Sequence, residues 1–180
     1  MSVRPILVVG NPVLHQKAKR ISQVDKSLQK LIDDMIDTMR AAPGVGLAGP
    51  QVGVPLRIAV IEVDDEVTVI VNPEIVKRIG DVELDEGCLS VPGYWGRLTR
   101  AEKVVVKAKD RNGKDFRVSA EGLLAQALQH EIDHLDGTLY VDRMSSNDHL
   151  KRQEPLRKRE ADQLAAEEAA AEAAQAAQDA

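Results

Sequence analysis

The chain has 180 residues, of which 43% are hydrophobic and 29% are charged, ordinary proportions for one soluble globular domain with a proper core. Aromatic residues make up only 2% and the formal net charge is -5, so a base-stacking nucleic-acid platform and broad phosphate binding are both disfavoured. One cysteine cannot form an internal disulfide, and no stretch suits a secretory signal or a membrane span, so we expect a cytoplasmic protein without membrane attachment or direct nucleic-acid specificity.

Residues 25–40 carry the first strong pattern, that of an amphipathic helix. Asp25 is a candidate N-cap, and Pro43 with Gly44 would end the helix. One face of this helix is predicted to be buried, because its apolar residues recur every three or four positions: Leu28, Leu31, Ile32, Met35, Ile36 and Met39.

Strand-forming residues follow as a run rather than alternating with helices. A predicted hairpin turn over residues 110–114 leads into a further strand at residues 116–118. This order predicts an α+β fold, with mainly antiparallel sheets packed around a central helix. β-branched residues are concentrated in four segments: 57–63, 67–71, 74–84 and 103–108.

The predicted central helix bears His130 and His134, which continue an apolar stripe from Leu123 and Ala127. Four residues apart on a helix, the two imidazoles lie on one face and can reach one metal ion. Glu131 lies about a quarter-turn away, close enough to handle a metal-bound water without being a ligand. This is the His-Glu-x-x-His arrangement of metal-dependent hydrolases, although buried histidines that only hydrogen-bond within a core are the simpler alternative.

A catalytic metal site typically has three protein ligands and a water, so a third ligand must come from elsewhere in the chain. Cys88 is the outstanding candidate, because Gly87 before it and Pro92-Gly93 after it predict a tight bend next to a strand. Taken alone, a single cysteine is more often a small buried hydrophobe. The glycine-rich segment 44–53, which includes Gln51, would let backbone approach a ligand, but alone it is typical of a surface loop.

Together, three segments resemble the signature motifs of the peptide deformylase family, in the same order: residues 44–48 with Gln51, residues 86–90, and residues 129–135 with Gly137. Residues 11–14 also look like the family's N-terminal strand and turn, so the resemblance covers roughly residues 4–145.

The chain departs from the family pattern at two places. Gly49 stands where the family usually has alanine, and we expect this to loosen the loop slightly. The stretch 94–96 differs from members that place a basic residue nearby, and the tail beyond Arg152 matches no family pattern.

The resemblance implies a metallohydrolase that removes the formyl group from N-formylmethionine of newly synthesised polypeptides and releases formate. In this interpretation Cys88, His130 and His134 hold the metal, and Glu131 serves as general base and then general acid toward the metal-activated water. The implied metal is Fe²⁺, although a Cys-His-His set also suits Zn²⁺, Ni²⁺ or Co²⁺.

The resemblance also implies roles for residues outside the ligand set. The side-chain amide of Gln51 and the backbone N–H of Leu89 would stabilise the negative charge on the formyl oxygen. Gly46 matches a position whose backbone pairs with the substrate peptide in strand fashion. Asp133 or a backbone carbonyl would fix a histidine tautomer, and the sequence does not decide between them.

We expect the chain to divide into a catalytic domain, residues 1–148, and a charged, Ala/Glu-rich tail, residues 149–180, that is helical or disordered. Residues 160–180 hold six acidic side chains and eleven alanines. Residues 151–159 hold five basic side chains. Such a run is more often a solvated helix face, but a substrate that is a nascent polypeptide also suggests association with the ribosome.

Three alternatives remain open from the sequence. A zinc peptidase could use the same helix motif with a downstream third ligand, for which His149 is the only downstream histidine. A structural metal site in a binding protein would need a fourth protein ligand. A cysteine hydrolase would use Cys88 as nucleophile and a histidine as base.

Overall fold

The structure, a computed structural model, describes residues 2–144 and 150–152. No helix in this part of the chain is long and apolar enough to cross a membrane. In chain order the elements are a 3-10 helix at Pro12–His15, α1 at Lys26–Ala41, β1 at Gly46–Ala48, a second 3-10 helix at Gly49–Val52, β2 at Ile58–Val63, β3 at Glu66–Ile79, β4 at Val82–Gly87, β5 at Tyr94–Arg100, β6 at Lys103–Lys109, β7 at Asp115–Glu121, α2 at Gly122–Leu135, α3 at Tyr140–Arg143 and β8 at Leu150–Arg152.

All named strands pair antiparallel, in two sheets. The larger sheet has the order β1-β2-β3-β6-β7, and the smaller one has the order β4-β5-β8. The chain is therefore an α+β protein with antiparallel sheets, as the sequence predicted.

The larger sheet packs against α1 on one face and against α2 on the other. Successive residues of β2 point to opposite faces, so Ile58 and Val60 pack with the buried side of α1, while Ala59 and Ile61 join Leu128 and its neighbours on α2. Burying a Leu or Ile side chain contributes roughly 1.5–3 kcal/mol. The two apolar layers thus fix α2 against the sheet.

The predicted helix over residues 25–40 is confirmed as α1, and the Asp25 side chain caps it by accepting a hydrogen bond from Leu28 N at 2.8 Å. After the helix, Gly44 N donates to the Met39 carbonyl at 3.0 Å. The predicted hairpin turn is also present, between β6 and β7.

The strand boundaries predicted between residues 67 and 84 are wrong. β3 continues through Asn72 and Pro73 to Ile79, with a register shift against β6 at this point. Asn72 adopts a positive φ of 51° and bonds through its side chain to both backbone groups of Ile21, at 2.9 and 2.7 Å. Pro73 is tolerated because it lies in this irregularity, where it does not interrupt the ladder of hydrogen bonds. Gly80, with φ 66°, then turns the chain into β4.

Two further segments differ from expectation. Residues 11–14 contribute to a 3-10 helix, and no strand lies between residues 2 and 14. The predicted loop over residues 44–53 contains β1 and the second 3-10 helix.

Residues 150–152 form β8, which pairs with β5 at the smaller sheet. This strand falls within the range 149–180 that we expect to be a tail. Residues 153–180, with most of the basic run and all of the acidic segment, lie outside the described residues.

Candidate metal centre

The fold brings Cys88, His130 and His134 together. α2 presents the two histidines on one face, and the bend that follows β4 delivers Cys88, whose carbonyl accepts a hydrogen bond from Val91 N at 2.9 Å. One ligand atom from each of the three residues lies within 4.8 Å of the others, and Cys88 Sγ is 3.2 Å from His134 Nε2. These are the three residues that the family resemblance implied as ligands.

The donor set suits a transition metal, because a thiolate and imidazole nitrogens are the ligands that Fe, Zn, Ni and Co accept in proteins. Cys88 is a free, half-buried thiol. In the described part of the chain the cluster contains three such donors, which is the number of a catalytic site with an open position. His149, the third ligand that a zinc-peptidase interpretation requires, lies outside the described residues.

His130 is oriented by the Glu86 side chain, and neither by Asp133 nor by a backbone carbonyl, which corrects both expectations for the tautomer of this ring. Nδ1 of His130 lies 2.9 Å from Glu86 Oε2, so the other ring nitrogen, Nε2, is left to face the cluster. Burial by itself raises the pKa of Glu86, but hydrogen bonds from Arg100 and His130 lower it to about 2. Glu86 is therefore ionised and is a fixed acceptor for His130.

The surroundings shift the pKa values of the two histidines in opposite directions. Burial lowers the pKa of His134 well below its ordinary value, which keeps this ring neutral, the form that ligates a metal. Burial acts the same way on His130, but the neighbouring Cys88 and Glu86 raise its pKa well above the ordinary value. His134 Nδ1 has no hydrogen-bond partner in the part of the chain that the structure describes.

Glu131 is buried beside the cluster, and its Oε2 has no partner among the described residues. Burial raises the pKa of Glu131 to about 7. Gly46 makes room for this carboxylate, because a β-carbon at position 46 would lie 2.9 Å from Glu131 Cδ. A carboxyl group with a pKa near neutrality can both accept and return a proton.

Gln51 is fully buried and is held at its carbonyl end. Its Oε1 accepts a hydrogen bond from Ala48 N at 2.8 Å, and its Nε2 lies 3.2 Å from Ser90 Oγ and 3.6 Å from Cys88 Sγ. The amide donor is thereby aimed at the cluster. Leu89 follows Cys88 directly, and among the described residues its backbone N–H makes no hydrogen bond.

An open cleft of about 380 Å³ leads to these residues. It runs between β1 and β4, which are edge strands of the two different sheets. The Gln126 side chain bridges the cleft wall, donating from Nε2 to the Asp85 carbonyl at 2.9 Å. The lining residues are Pro43, Gly44, Val45, Gly46, Gln51, Asp85, Glu86, Gly87, Cys88, Leu89, Leu123, Gln126, Ala127, His130 and Glu131.

Sequence reasoning missed Arg100, Gln126 and the orienting role of Glu86. Glu86 lies in the motif at residues 86–90, two residues before Cys88, and that proximity was the available signal. Arg100 and Gln126 gave no signal, since their partners are distant in sequence. A larger cavity of about 490 Å³, lined mainly by residues 107–109 and 115–117, includes no residue of the cluster.

The structure shows the surroundings of the two places where the sequence departs from the family pattern, Gly49 and residues 94–96. Gly49 is buried, and a β-carbon there would lie 2.7 Å from Val54 O and 2.8 Å from Leu56 O, so the segment packs closely around the glycine; the expected loosening stays a prediction. At residues 94–96, a basic group is present after all, since Lys151 Nζ of β8 lies 4.9 Å from the centre of the Trp95 ring.

Comparisons with known proteins agree over most of the chain. A family model described as polypeptide deformylase matches residues 3–150. The protein named peptide deformylase of Dehalococcoides mccartyi strain CBDB1 is 53% identical over 152 residues, covering 83% of this chain and 91% of the relative. A crystal structure of a peptide deformylase from Legionella pneumophila is 54% identical with a TM-score of 0.78, covering 80% of this chain and 87% of that chain. The peptide deformylase from Synechococcus elongatus in complex with actinonin is 41% identical with a TM-score of 0.79, covering 83% and 85%.

Proposed function

This chain belongs to the peptide deformylase family, and from that premise we propose which residues carry out the reaction and with which metal. The reaction is the metal-dependent hydrolysis of a linear amide: the formyl group of N-formylmethionine on newly synthesised polypeptides is removed and leaves as formate. The residue roles, the native ion and the cellular setting below are our proposal.

Cys88, His130 and His134 would hold one divalent ion, and we assign Fe²⁺ as the native one, with Zn²⁺, Ni²⁺ or Co²⁺ able to substitute. When bound, the ion would supply a Lewis acid and lower the pKa of water at its open position. The closeness of the three ligand atoms supports this assignment. A ferrous centre with a thiolate ligand also fits a reducing cytoplasm.

Glu131 accepts a proton from the attacking water and then donates it to the leaving amine. Its carboxylate is buried next to the ligand His130, and Gly46 leaves it space on the cleft side. Because the Glu131 side chain itself is buried, a proton that it takes stays available for the amine.

Gln51 Nε2 and the Leu89 backbone N–H stabilise the negative charge that develops on the formyl oxygen. The position of Gln51 supports this role. Its side-chain carbonyl is held by Ala48 N, and its amide nitrogen faces the cluster. Gly46, on the edge strand β1, pairs with the backbone of the substrate peptide.

We further propose that the catalytic unit, residues 1–148, works in the cytoplasm beside the ribosome, and that the basic run 151–159 of the tail, residues 149–180, contributes to docking. Charge and the nature of the substrate support this proposal. Because β8 includes residues 150–152, the test neutralises Arg157, Lys158 and Arg159 by replacement with glutamine. Ribosome co-sedimentation should fall in this variant and stay unchanged when Glu167 and Glu168 are neutralised instead; equal binding by both variants contradicts the docking role.

The single observation that carries the proposal is the meeting of Cys88, His130 and His134 beside a buried Glu131. The experiment that tests the proposal measures formate release from formyl-Met-Ala-Ser, with Met-Ala-Ser as control. The metal content is quantified in the same protein, purified with and without oxygen. Iron should accompany the more active, anaerobic preparation.

The Cys88→Ser variant separates a ligand from a nucleophile, which matters because Cys88 Sγ lies within 3.2 Å of a histidine. A ligand role predicts that Cys88→Ser loses both metal and formate release. A variant that keeps a full equivalent of metal and loses only turnover supports the cysteine-hydrolase alternative.

A further inference from the structure

A chain of ion pairs connects the protein surface with His130. Arg143, on α3, binds both carboxylate oxygens of Asp133. Asp133 Oδ2 also accepts a hydrogen bond at 2.6 Å from Arg100, whose other nitrogens donate to the two oxygens of Glu86 at 2.8 and 2.9 Å. Glu86 Oε2 in turn lies 2.9 Å from His130 Nδ1.

The inner members of this chain are buried and the outer one is accessible. The side chains of Glu86, Arg100 and Asp133 are 2%, 4% and 7% exposed, whereas that of Arg143 is 44% exposed. The two carboxylates and the two guanidinium groups of this chain balance in charge. A buried charge that loses its partner strongly destabilises the folded state. Changing Arg143 leaves Asp133 paired with Arg100, so Arg143 is the member that can be altered with the least effect on folding.

The position of Asp133 makes this connection relevant to the metal centre. Asp133 lies on α2 between the two histidines, so holding its carboxylate also holds the turn of helix that bears them. α3 touches the same site by a second route, because the ring of Tyr140 stacks on that of His130 with centroids 6.3 Å apart and planes at 27°.

We propose that Arg143 is a positioning residue for the metal centre: acting through Asp133, Arg100 and Glu86, it keeps His130 turned so that Nε2 faces Cys88 and His134. This inference rests on the proposed ligand set. Arg143 does not line the cleft and acts only through the other members of the chain.

This arrangement predicts how much, and in which direction, the loss of Arg143 changes the rate of metal release. Loss of an outer partner of a metal-ligating histidine typically costs about 10–100-fold in metal affinity. Three residues, Asp133, Arg100 and Glu86, lie between Arg143 and His130 in the chain of ion pairs. We therefore expect the low end of that range, about tenfold faster metal release in Arg143→Gln. Removing a positive charge by itself favours retention of a cation, so faster release is the signature of positioning.

The experiment loads full-length protein with Ni²⁺ and follows transfer of the metal to a chromogenic chelator, together with the melting temperature. The matched control is Arg40→Gln, which removes another two-pronged arginine–carboxylate pair, with Glu62; neither residue lines the cleft or belongs to the chain of ion pairs. Arg143→Lys keeps the charge but not the paired geometry and should release metal at an intermediate rate. Arg40→Gln should match the wild type.

The outcomes separate the inference from the function on which it rests. Wild-type protein that binds no stoichiometric Ni²⁺ overturns the proposed ligand set itself. Wild-type protein that binds Ni²⁺, with Arg143→Gln releasing it no faster than Arg40→Gln does, overturns the positioning role alone. A rise in KM with unchanged metal release also counts against the role, because it would place Arg143 in substrate binding.

Discussion

The backbone of Gly46 faces the carboxylate of Glu131 so closely that a β-carbon at position 46 would come within 2.9 Å of Glu131 Cδ and 3.0 Å of its Cγ. Both distances are shorter than an ordinary van der Waals contact. The absence of a side chain at position 46 therefore leaves room for the proposed proton-transfer group, on the same strand that we propose to pair with the peptide.

Gly46→Ala should displace the Glu131 carboxylate and lower kcat/KM for a formyl-Met peptide about 100-fold, the cost of roughly 1 Å of misplacement in an active site. Metal content should be unchanged, because the metal-ligand candidates lie on other residues. Steady-state kinetics with metal quantitation check this, and near-normal activity in a metal-replete variant would show that Glu131 tolerates the shift.

Glu131→Gln should retain the metal and the fold and lose activity by about 10²–10⁴-fold, the usual contribution of a general base. Glutamine has the same shape, and the carboxylate atom Oε2 has no partner to lose within the described residues. Formate release and metal content measured on the same sample test this. If the glutamine variant turned over at the wild-type rate with a full metal site, the proton-transfer role would have to move to another group.

Gly49→Ala should destabilise the protein by about 1–3 kcal/mol, the usual cost of overpacking a closed site. The clash is with two backbone carbonyls, of Val54 and Leu56, which cannot rotate away as a side chain can. Denaturant unfolding of the variant measures the loss. Gly87→Ala is the matched control, since its added carbon would meet only Tyr94 O at 3.7 Å and its free energy of unfolding should change little.

Stability at acid pH should depend on Asp34, which is buried on α1 and accepts hydrogen bonds from Arg4 Nη2 and Ser2 N, both at 3.1 Å. Burial alone raises the pKa of Asp34, but its bonds to Arg4, Ser2 and Lys30 lower it to about 2. A carboxyl group whose pKa is depressed on folding stabilises the folded state above its ordinary pKa, and this stabilisation is lost as the pH falls toward 2.

The wild-type melting temperature should therefore fall more steeply between pH 4 and pH 2 than that of Asp34→Asn, which starts lower at neutral pH. Parallel curves for the two proteins would mean that Asp34 titrates at its ordinary pKa.

Local patterns predicted the parts of the fold that local interactions determine. α1 was predictable because its apolar spacing and the Asp25 cap lie within one segment, and the β6–β7 turn because its residues favour that geometry. The long β3 was not, since its passage through Asn72 depends on bonds to Ile21, which is 51 residues away.

In the candidate site, too, local spacing predicted some features and contacts between distant residues determine the others. The helical spacing of His130 and His134 indicated a shared ion, but the choice of Cys88 as partner needed the family resemblance. Asp133 was a reasonable orienting group on proximity alone, yet Arg100 draws its carboxylate away, and Glu86 arrives from β4 to bind His130. Pairings between distant strands and helices cannot be read from spacing.

The cleft between β1 and β4 has a consequence for timing in the cell. Both strands are sheet edges, so the backbone groups that they offer can pair with a polypeptide whose own N–H and C=O groups are still unpaired. An N-terminus already wound into a helix or taken into a sheet has none to give. Substrate pairing with β1, as proposed, would therefore favour deformylation before the first residues of a protein have folded.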